Sequence, residues 1–312
     1  MKKLSQKKKR ILIIKFGGLG DFVLSLKAMN YIKNFHDNDK LVLLTEKAYY
    51  EIAKKSGWFD EIVIIKRTFM YFFDKVQIQK KINVQNYKVV YDLQTSKRSS
   101  SYYQIFKNSE IKWSGIVKDN IFFHSNPFRD SMHTLDRQKD QLLKANIRIF
   151  NKPNFDWLYG KNEKNFMKKP YALIIPGGSV KRKYKRIPVD YFIKICAKLI
   201  ENNIIPVLIG SADEKSLCEK INYKCKKVVN LCEKFSIIDL ALISKKSKVA
   251  IGNDTGLMHL FGMSDVPTIV LFTKHSNPNL CAPIGEKVKI LEYKINIKEL
   301  VKDSLEIFDF FK

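Results

Sequence analysis

Short apolar runs alternate with amphipathic stretches along the whole chain, and this alternation predicts a repeated strand–helix pattern. Strands are predicted over 11–16, 41–45, 61–66, 88–93 and 111–116, with helices over 22–34, 47–55, 70–83 and 97–108. The strand runs (ILIIKF, LVLLT, KVVYDL) are almost wholly apolar, as strands buried on both faces of a parallel sheet must be. Residues 117–133 show no period and read as a loop before a helix over 134–145. Residues 151–170 hold Pro153, Gly160 and Pro170 among many charges and read as a linker. The pattern then restarts, with strands over 171–175, 204–209, 227–230, 249–251, 266–271 and 288–291. Helices are predicted over 189–201, 212–221, 237–244, from Leu257 onward, and over 296–311. The fold class is therefore α/β, with two Rossmann-like domains, 1–155 and 156–312, facing a central cleft. The closing helix, about 296–312, is a candidate to pack back toward the N-terminal domain.

Composition narrows the class. A chain of 312 residues that is 45% hydrophobic can build two globular cores and is neither disordered nor fibrous. No apolar run approaches the roughly 18 residues of a membrane span. The basic N-terminus, MKKLSQKKKR, is followed by a run too short for a signal-peptide core. Five cysteines without C-x-x-C spacing argue against a disulfide framework or a zinc site and favour a reducing cytoplasm. The net charge of +26, from 57 Lys+Arg against 31 Asp+Glu, favours a polyanionic partner: nucleic acid, anionic membrane or a phosphorylated substrate. Drift toward Lys, Ile and Asn contributes to the same number.

Four loops at predicted strand ends carry the chemistry. Gly17-Gly18-Leu19-Gly20-Asp21 lacks both dinucleotide and P-loop spacing. It places Asp21 at a helix start, either as a cap or as a general base. The run 176–188, PGGSVKRKYKRIP, offers close backbone approach, the Ser179 hydroxyl and five basic side chains, enough to neutralise a diphosphate or simply to stay solvated. In Gly210-Ser211-Ala212-Asp213-Glu214, a carboxylate can bind a ribose diol or belong to a helix cap. Gly252-Asn253-Asp254-Thr255-Gly256 opens a helix whose free N–H groups suit an anion, with Asp254 or Thr255 as N-cap and His259 one turn in. Asp37-Asn38-Asp39 matches a metal-binding D-x-D pattern but falls in a turn after a helix, and no other cluster has metal-ligand spacing.

Taken together, ILIIKFGGLGDFVLSLKAM, PGGSVKRKYKRIPVDYF and GNDTGLMHLFGMSDVPTIVLF resemble glycosyltransferase family nine, the ADP-heptose:lipopolysaccharide heptosyltransferases. The resemblance covers most of the chain and is weakest over 67–165. It implies a GT-B fold, with the acceptor on the N-terminal domain and the sugar nucleotide on the C-terminal one. Asp21 falls on the family's catalytic aspartate. Lys185 falls on the lysine that contacts the donor phosphates, with Lys181 and Lys183 as competitors, and Ser179 lies in the same donor loop. Glu214 falls near the acid that holds the ribose, and Asp254, Thr255, Gly256 and His259 on the diphosphate-binding element. Ile187 stands where the family carries Trp, and Phe272-Thr273-Lys274-His275 where F-G-P-T is common.

The implied reaction is metal-independent, cofactor-free, inverting transfer of heptose from ADP-heptose to an inner-core (Kdo-lipid A type) acceptor. The implied partners are an ADP-sugar, a lipid-linked anionic saccharide and the anionic inner membrane, at whose cytoplasmic face the protein would be peripheral. Salt would release an electrostatic contact of that kind, whereas hydrophobic anchoring would survive it. One alternative is a GT-B transferase using another nucleotide sugar for another surface glycan. A second, nucleic-acid binding, requires aromatic residues interleaved with basic ones on a surface sheet. Here the aromatics fall mostly in apolar strands and helices.

Overall fold

The computed structural model describes residues 9–107, 110–159, 166–178, 180–293 and 296–310. The chain divides into two compact units, Met1–Asn154 and Phe155–Lys312.

In the first unit the order is β1 (Arg10–Ile14), α1 (Leu19–Phe35), β2 (Lys40–Thr45), α2 (Tyr50–Ser56), β3 (Glu61–Ile64), α3 (Tyr71–Lys81) and β4 (Tyr87–Asp92). There follow α4 (Lys97–Ser101), α5 (Tyr103–Phe106), β5 (Lys112–Gly115), β6 (Phe122–Phe123) and α6 (Thr134–Lys144). In the second unit the order is β7 (Tyr171–Ile175), α7 (Val189–Glu201), β8 (Ile205–Leu208), α8 (Lys215–Lys224), β9 (Val229–Asn230), α9 (Ile237–Ser244) and β10 (Val249–Asn253). It ends with α10 (Gly256–Met263), β11 (Thr268–Phe272), α11 (Pro278–Cys281), β12 (Val288–Glu292) and α12 (Ile297–Phe310).

Each unit holds a six-stranded sheet, in the orders β3-β2-β1-β4-β5-β6 and β12-β11-β10-β7-β8-β9. All pairings are parallel. The first sheet runs third, second, first, fourth, fifth, sixth, the doubly wound order of nucleotide-binding folds, and the second is likewise built outward from a central pair. The central pairs are β1 with β4 (Ile11 beside Val89) and β7 with β10 (Ile174 beside Ile251). At such a point the outgoing loops turn to opposite faces and leave a crevice outside the strands' carboxyl ends.

The central strands are fully buried because helices cover both faces. In α7, Tyr191, Phe192, Ile195, Cys196 and Leu199 form one inward stripe at helical spacing. Leu300, Val301 and Phe308 of α12 join the same core, and the Tyr191 hydroxyl meets Ser304 at 2.7 Å. The closing helix thus packs on the sheet of its own unit.

Several boundaries differ from the sequence reading. The helix expected from Phe22 starts at Leu19, because Gly17 and Gly18 alone make the turn. The helix expected over 97–108 is two short pieces, and β6 lies inside the expected loop 117–133. Asp39, in the D-x-D turn, is held by His36 at 3.2 Å and Lys88 at 3.3 Å. Among the described residues all five cysteines are free thiols, and no helix is long and apolar enough to cross a membrane.

Candidate functional site

The first unit concentrates polar groups at the carboxyl ends of β1 and β4. The chain leaves β1 through Lys15 and Phe16, then turns at Gly17 with φ of +100°, a conformation side chains avoid. Gly18 is the N-cap of α1, and no side chain caps that helix. Asp21 is therefore not a cap. It is the acidic residue of the first helical turn, with an exposed side chain. Its backbone is braced from below: the Ser25 hydroxyl donates to the Asp21 carbonyl at 2.7 Å, and Gln138 of α6 donates to that hydroxyl at 2.7 Å.

Two buried charges flank this turn. Lys15 is 4% exposed and its Nζ donates to the Leu93 carbonyl at 3.3 Å. Burial pulls its pKa down to about 8 against the opposing pull of Asp21 and Asp92. Asp92, at the end of β4, receives the N–H groups of Gln94 and Thr95 at 3.1 and 3.0 Å. Burial still pushes its carboxyl up to about 6. Arg137 of α6 also lies in the field of Asp21, and burial lowers its pKa. Because Lys15 titrates near 8 when folded and 10.5 in the open chain, the unfolded state binds more protons between those values. The native protein should therefore gain stability relative to Lys15→Met as pH rises from 8 to 10.5, by about 3 kcal/mol in all. Urea unfolding of both proteins across that range measures it; a constant difference would contradict it.

The second unit builds a denser arrangement at the ends of β7 and β10. Asn253, 1% exposed, is the last residue of β10. Its Nδ2 donates to the carbonyls of Pro176 at 2.7 Å and Gly177 at 2.9 Å, and its Oδ1 accepts from the Ile187 N–H at 3.1 Å. One side chain thus ties the loop after β7 at both its ends to β10. Asn253→Ala leaves three buried backbone groups without partners, at about 1 kcal/mol or more each. The expected loss is about 3 kcal/mol and the expected fall in Tm about 6–12 °C, read by thermal unfolding; a shift under about 2 °C would contradict the role.

Around that tie, Lys185 Nζ lies 3.7 Å from Asp254 Oδ2, which also accepts from Ser276 Oγ at 2.9 Å. Arg186 donates to the Gly178 carbonyl and reaches Glu214 Oε1 at 3.3 Å. Glu214 also accepts from Ser211 N at 2.9 Å and Ser211 Oγ at 2.6 Å. Gly177 permits this packing, because a Cβ there would stand 2.1 Å from Glu214 Cγ.

Asp254 and Thr255 do not cap α10 as the sequence suggested. Thr255 occupies the N-cap position, but no side chain accepts from the helix. Its hydroxyl is buried and unpartnered among the described residues, while the Asp254 carboxylate is drawn to Lys185 and Ser276. The first N–H groups of α10 are left for another acceptor, with Gly256 at the first helical position and His259 buried on the same turn. Ser179 lies outside the described residues, as does the side chain of Lys181. Lys183 is exposed and Lys185 half-buried, so of the lysines described in this loop, Lys185 is the one beside Asp254. Among the described residues no group of three or more His, Cys, Asp or Glu side chains is placed to hold a metal ion.

The sequence reading passes over Lys15, Asp92, Arg137 and the tying role of Asn253, and counts Arg186 only among the five basic side chains of its loop. The first had a signal: a lysine closing an otherwise apolar strand just before a glycine turn. The tie made by Asn253 had none, because its partners lie 66 to 77 residues away along the chain.

A model of glycosyltransferase family 9 (heptosyltransferase) matches residues 76–306. The chain is 20% identical over 301 residues to lipopolysaccharide heptosyltransferase 1 of Campylobacter coli, covering 84% of this chain and 83% of that protein. Among solved structures, it superposes on the glycosyl transferase family 9 protein of Veillonella parvula DSM 2008 with a TM-score of 0.77, at 15% identity and 97% coverage of both chains. It superposes on the E. coli heptosyltransferase WaaC with ADP with a TM-score of 0.76, at 16% identity and 96% and 99% coverage. These likenesses identify the two-sheet architecture as GT-B. With the family match extending over well more than half of its length, the chain belongs to glycosyltransferase family 9, the heptosyltransferases.

Proposed function

We propose that the protein transfers heptose from ADP-heptose to an anionic saccharide of lipopolysaccharide inner-core type, with inversion and without a metal ion. The observation that carries this reading is the uncapped start of α10, with the buried Thr255 hydroxyl and Lys185 beside it, at the central strand pair of the second sheet. Relatives solved with ADP and with ADP-2-deoxy-2-fluoro heptose support the choice of donor.

Asp21 accepts the proton of an acceptor hydroxyl as that oxygen attacks the anomeric carbon. The new C–O bond forms on the face opposite the departing ADP, and the bond to the phosphate oxygen breaks. ADP leaves carrying the electron pair. Lys185 and the N–H groups at Thr255 and Gly256 stabilise the charge that develops on it, the part a metal ion plays in other transferases. Arg137 and Arg129 suit an anionic acceptor. Arg129 Nε and Nη2 are buried and unpartnered among the described residues, and Arg137 stands in the field of both Arg129 and Asp21. The excess positive charge favours a peripheral position on the anionic cytoplasmic face of the inner membrane.

Incubating the purified protein with ADP-heptose and Kdo-bearing lipid A should add the mass of one heptose; no gain at saturating donor would overturn the reading. A different nucleotide sugar is the second reading. It is favoured by the pocket rim, where His275 and Tyr184 pack edge-to-face at 5.1 Å in place of the family's usual turn. Calorimetric titration should rank ADP above UDP and GDP, and the reverse order would select the second reading.

A further inference from the structure

The first turn of α3 has its polarity reversed. Asp74 is fully buried, whereas Phe69, Met70, Tyr71, Phe72 and Phe73 are 97%, 53%, 42%, 63% and 51% exposed. Amphipathic surface helices turn acids outward and aromatics inward. The reversal has a local cause. Asp74 Oδ1 accepts from the Thr68 N–H at 2.9 Å and the Thr68 hydroxyl at 3.0 Å, and Oδ2 accepts from Tyr102 at 2.6 Å and faces Arg98 at 3.6 Å. Arg98 also donates to the Thr68 carbonyl and lies 4.5 Å from the Tyr71 ring centre. The loop is thus held from inside, and the aromatic cluster is presented outward. Exposed aromatic patches of this kind mark contact surfaces. Arg67 and Arg98 beside it are paired, with Glu46 at 2.9 Å and with Asp74. Lys66 and Lys75, next to the patch in the chain, carry no ion pair among the described residues, so the complementary surface is apolar beneath and negative at that rim. The patch follows β3, at the same carboxyl-end edge of the sheet as the Asp21 turn.

We propose that residues 69–73 form a wedge that enters the interface of an anionic lipid bilayer while the surrounding basic residues contact its head groups. The wedge would seat the first unit where a lipid-linked acceptor presents its sugar, and in that respect the proposal rests on the acceptor assigned above. Aromatic side chains at this depth add a binding component that salt does not screen.

The test uses the full chain and vesicles of phosphatidylglycerol and phosphatidylethanolamine, without donor or acceptor. The native protein should stay vesicle-bound at about 0.5 M salt, where charge attraction alone is screened. The Phe69→Ser/Phe72→Ser variant, with an unchanged Tm, should lose binding there by about tenfold or more. A Phe69→Trp variant should show, relative to the native protein, blue-shifted emission on vesicles and quenching by brominated lipid. Equal binding by the serine variant, or vesicle-bound Phe69→Trp protein with unshifted emission, would overturn the wedge. So would a native dimer that the serine variant converts to a monomer, since the patch would then serve a second copy. Because no sugar chemistry enters, failure of heptosyl transfer with the fluorescence signs of penetration intact would count against the acceptor assignment alone.

Discussion

Replacing Asp21 by alanine is expected to lower kcat by about 10²–10⁴-fold, the range for loss of a positioned general base. Affinity for the nucleotide should stay within about twofold of the native value, since binding that does not change between ground and transition state is untouched. The expectation follows from placement. Asp21 is the sole acidic residue of the first turn of α1, is exposed, and caps nothing. Removing its side chain thus deletes no helix-capping bond, and the brace from Ser25 and Gln138 acts on its backbone carbonyl, which alanine keeps. A large loss of activity would therefore report chemistry rather than unfolding. Single-turnover kinetics and calorimetry with ADP make the measurement. Weakened nucleotide binding with normal turnover at saturation would remove Asp21 from the role of base.

Replacing Lys185 by alanine is expected to reduce kcat by about 10²–10³-fold, equivalent to about 2.7–4 kcal/mol of transition-state stabilisation. Lys183→Ala should change it by no more than about twofold, as expected of a solvent-screened charge. The two lysines sit on one loop and carry the same charge, so composition does not separate them. Geometry does: Lys185 Nζ lies 3.7 Å from Asp254 with its side chain 20% exposed, whereas Lys183 is turned to solvent. A charge held at the start of α10 acts where solvent screens it least, and an exposed one is largely screened. Equal losses for both variants would undo the assignment.

Much of this architecture was legible because parallel strands buried on both faces leave unbroken apolar runs. The strand ends then located the loops that carry Asp21, Lys185, Glu214 and Asp254. What escaped was of two kinds. One was polar contact across the chain: Asn253 reaches Pro176 and Ile187, and Asp74 reaches Tyr102. No local period encodes such pairs. The other was direction. The run FMYFF has the composition of a core segment, and only the burial of Asp74 beside it shows that it faces outward. The N-cap of α10 belongs with these: Asp254 and Thr255 are the right residue types for capping, but a neighbouring lysine and serine hold the Asp254 carboxylate elsewhere, and Thr255, at the N-cap position, makes no capping bond.

The order of strands in each sheet also bears on how the chain comes off the ribosome. The first strand made in each half is one of the innermost, yet it waits long for its second neighbour: Ile11 must meet Val89, and Ala172 must meet Val249. Until then one of its ladder edges stays open, apolar and unpaired, the condition in which strands join the wrong chain. Slower translation at reduced temperature should therefore raise the soluble yield, because it lengthens the time each half has to close its central ladder before another nascent chain does so first.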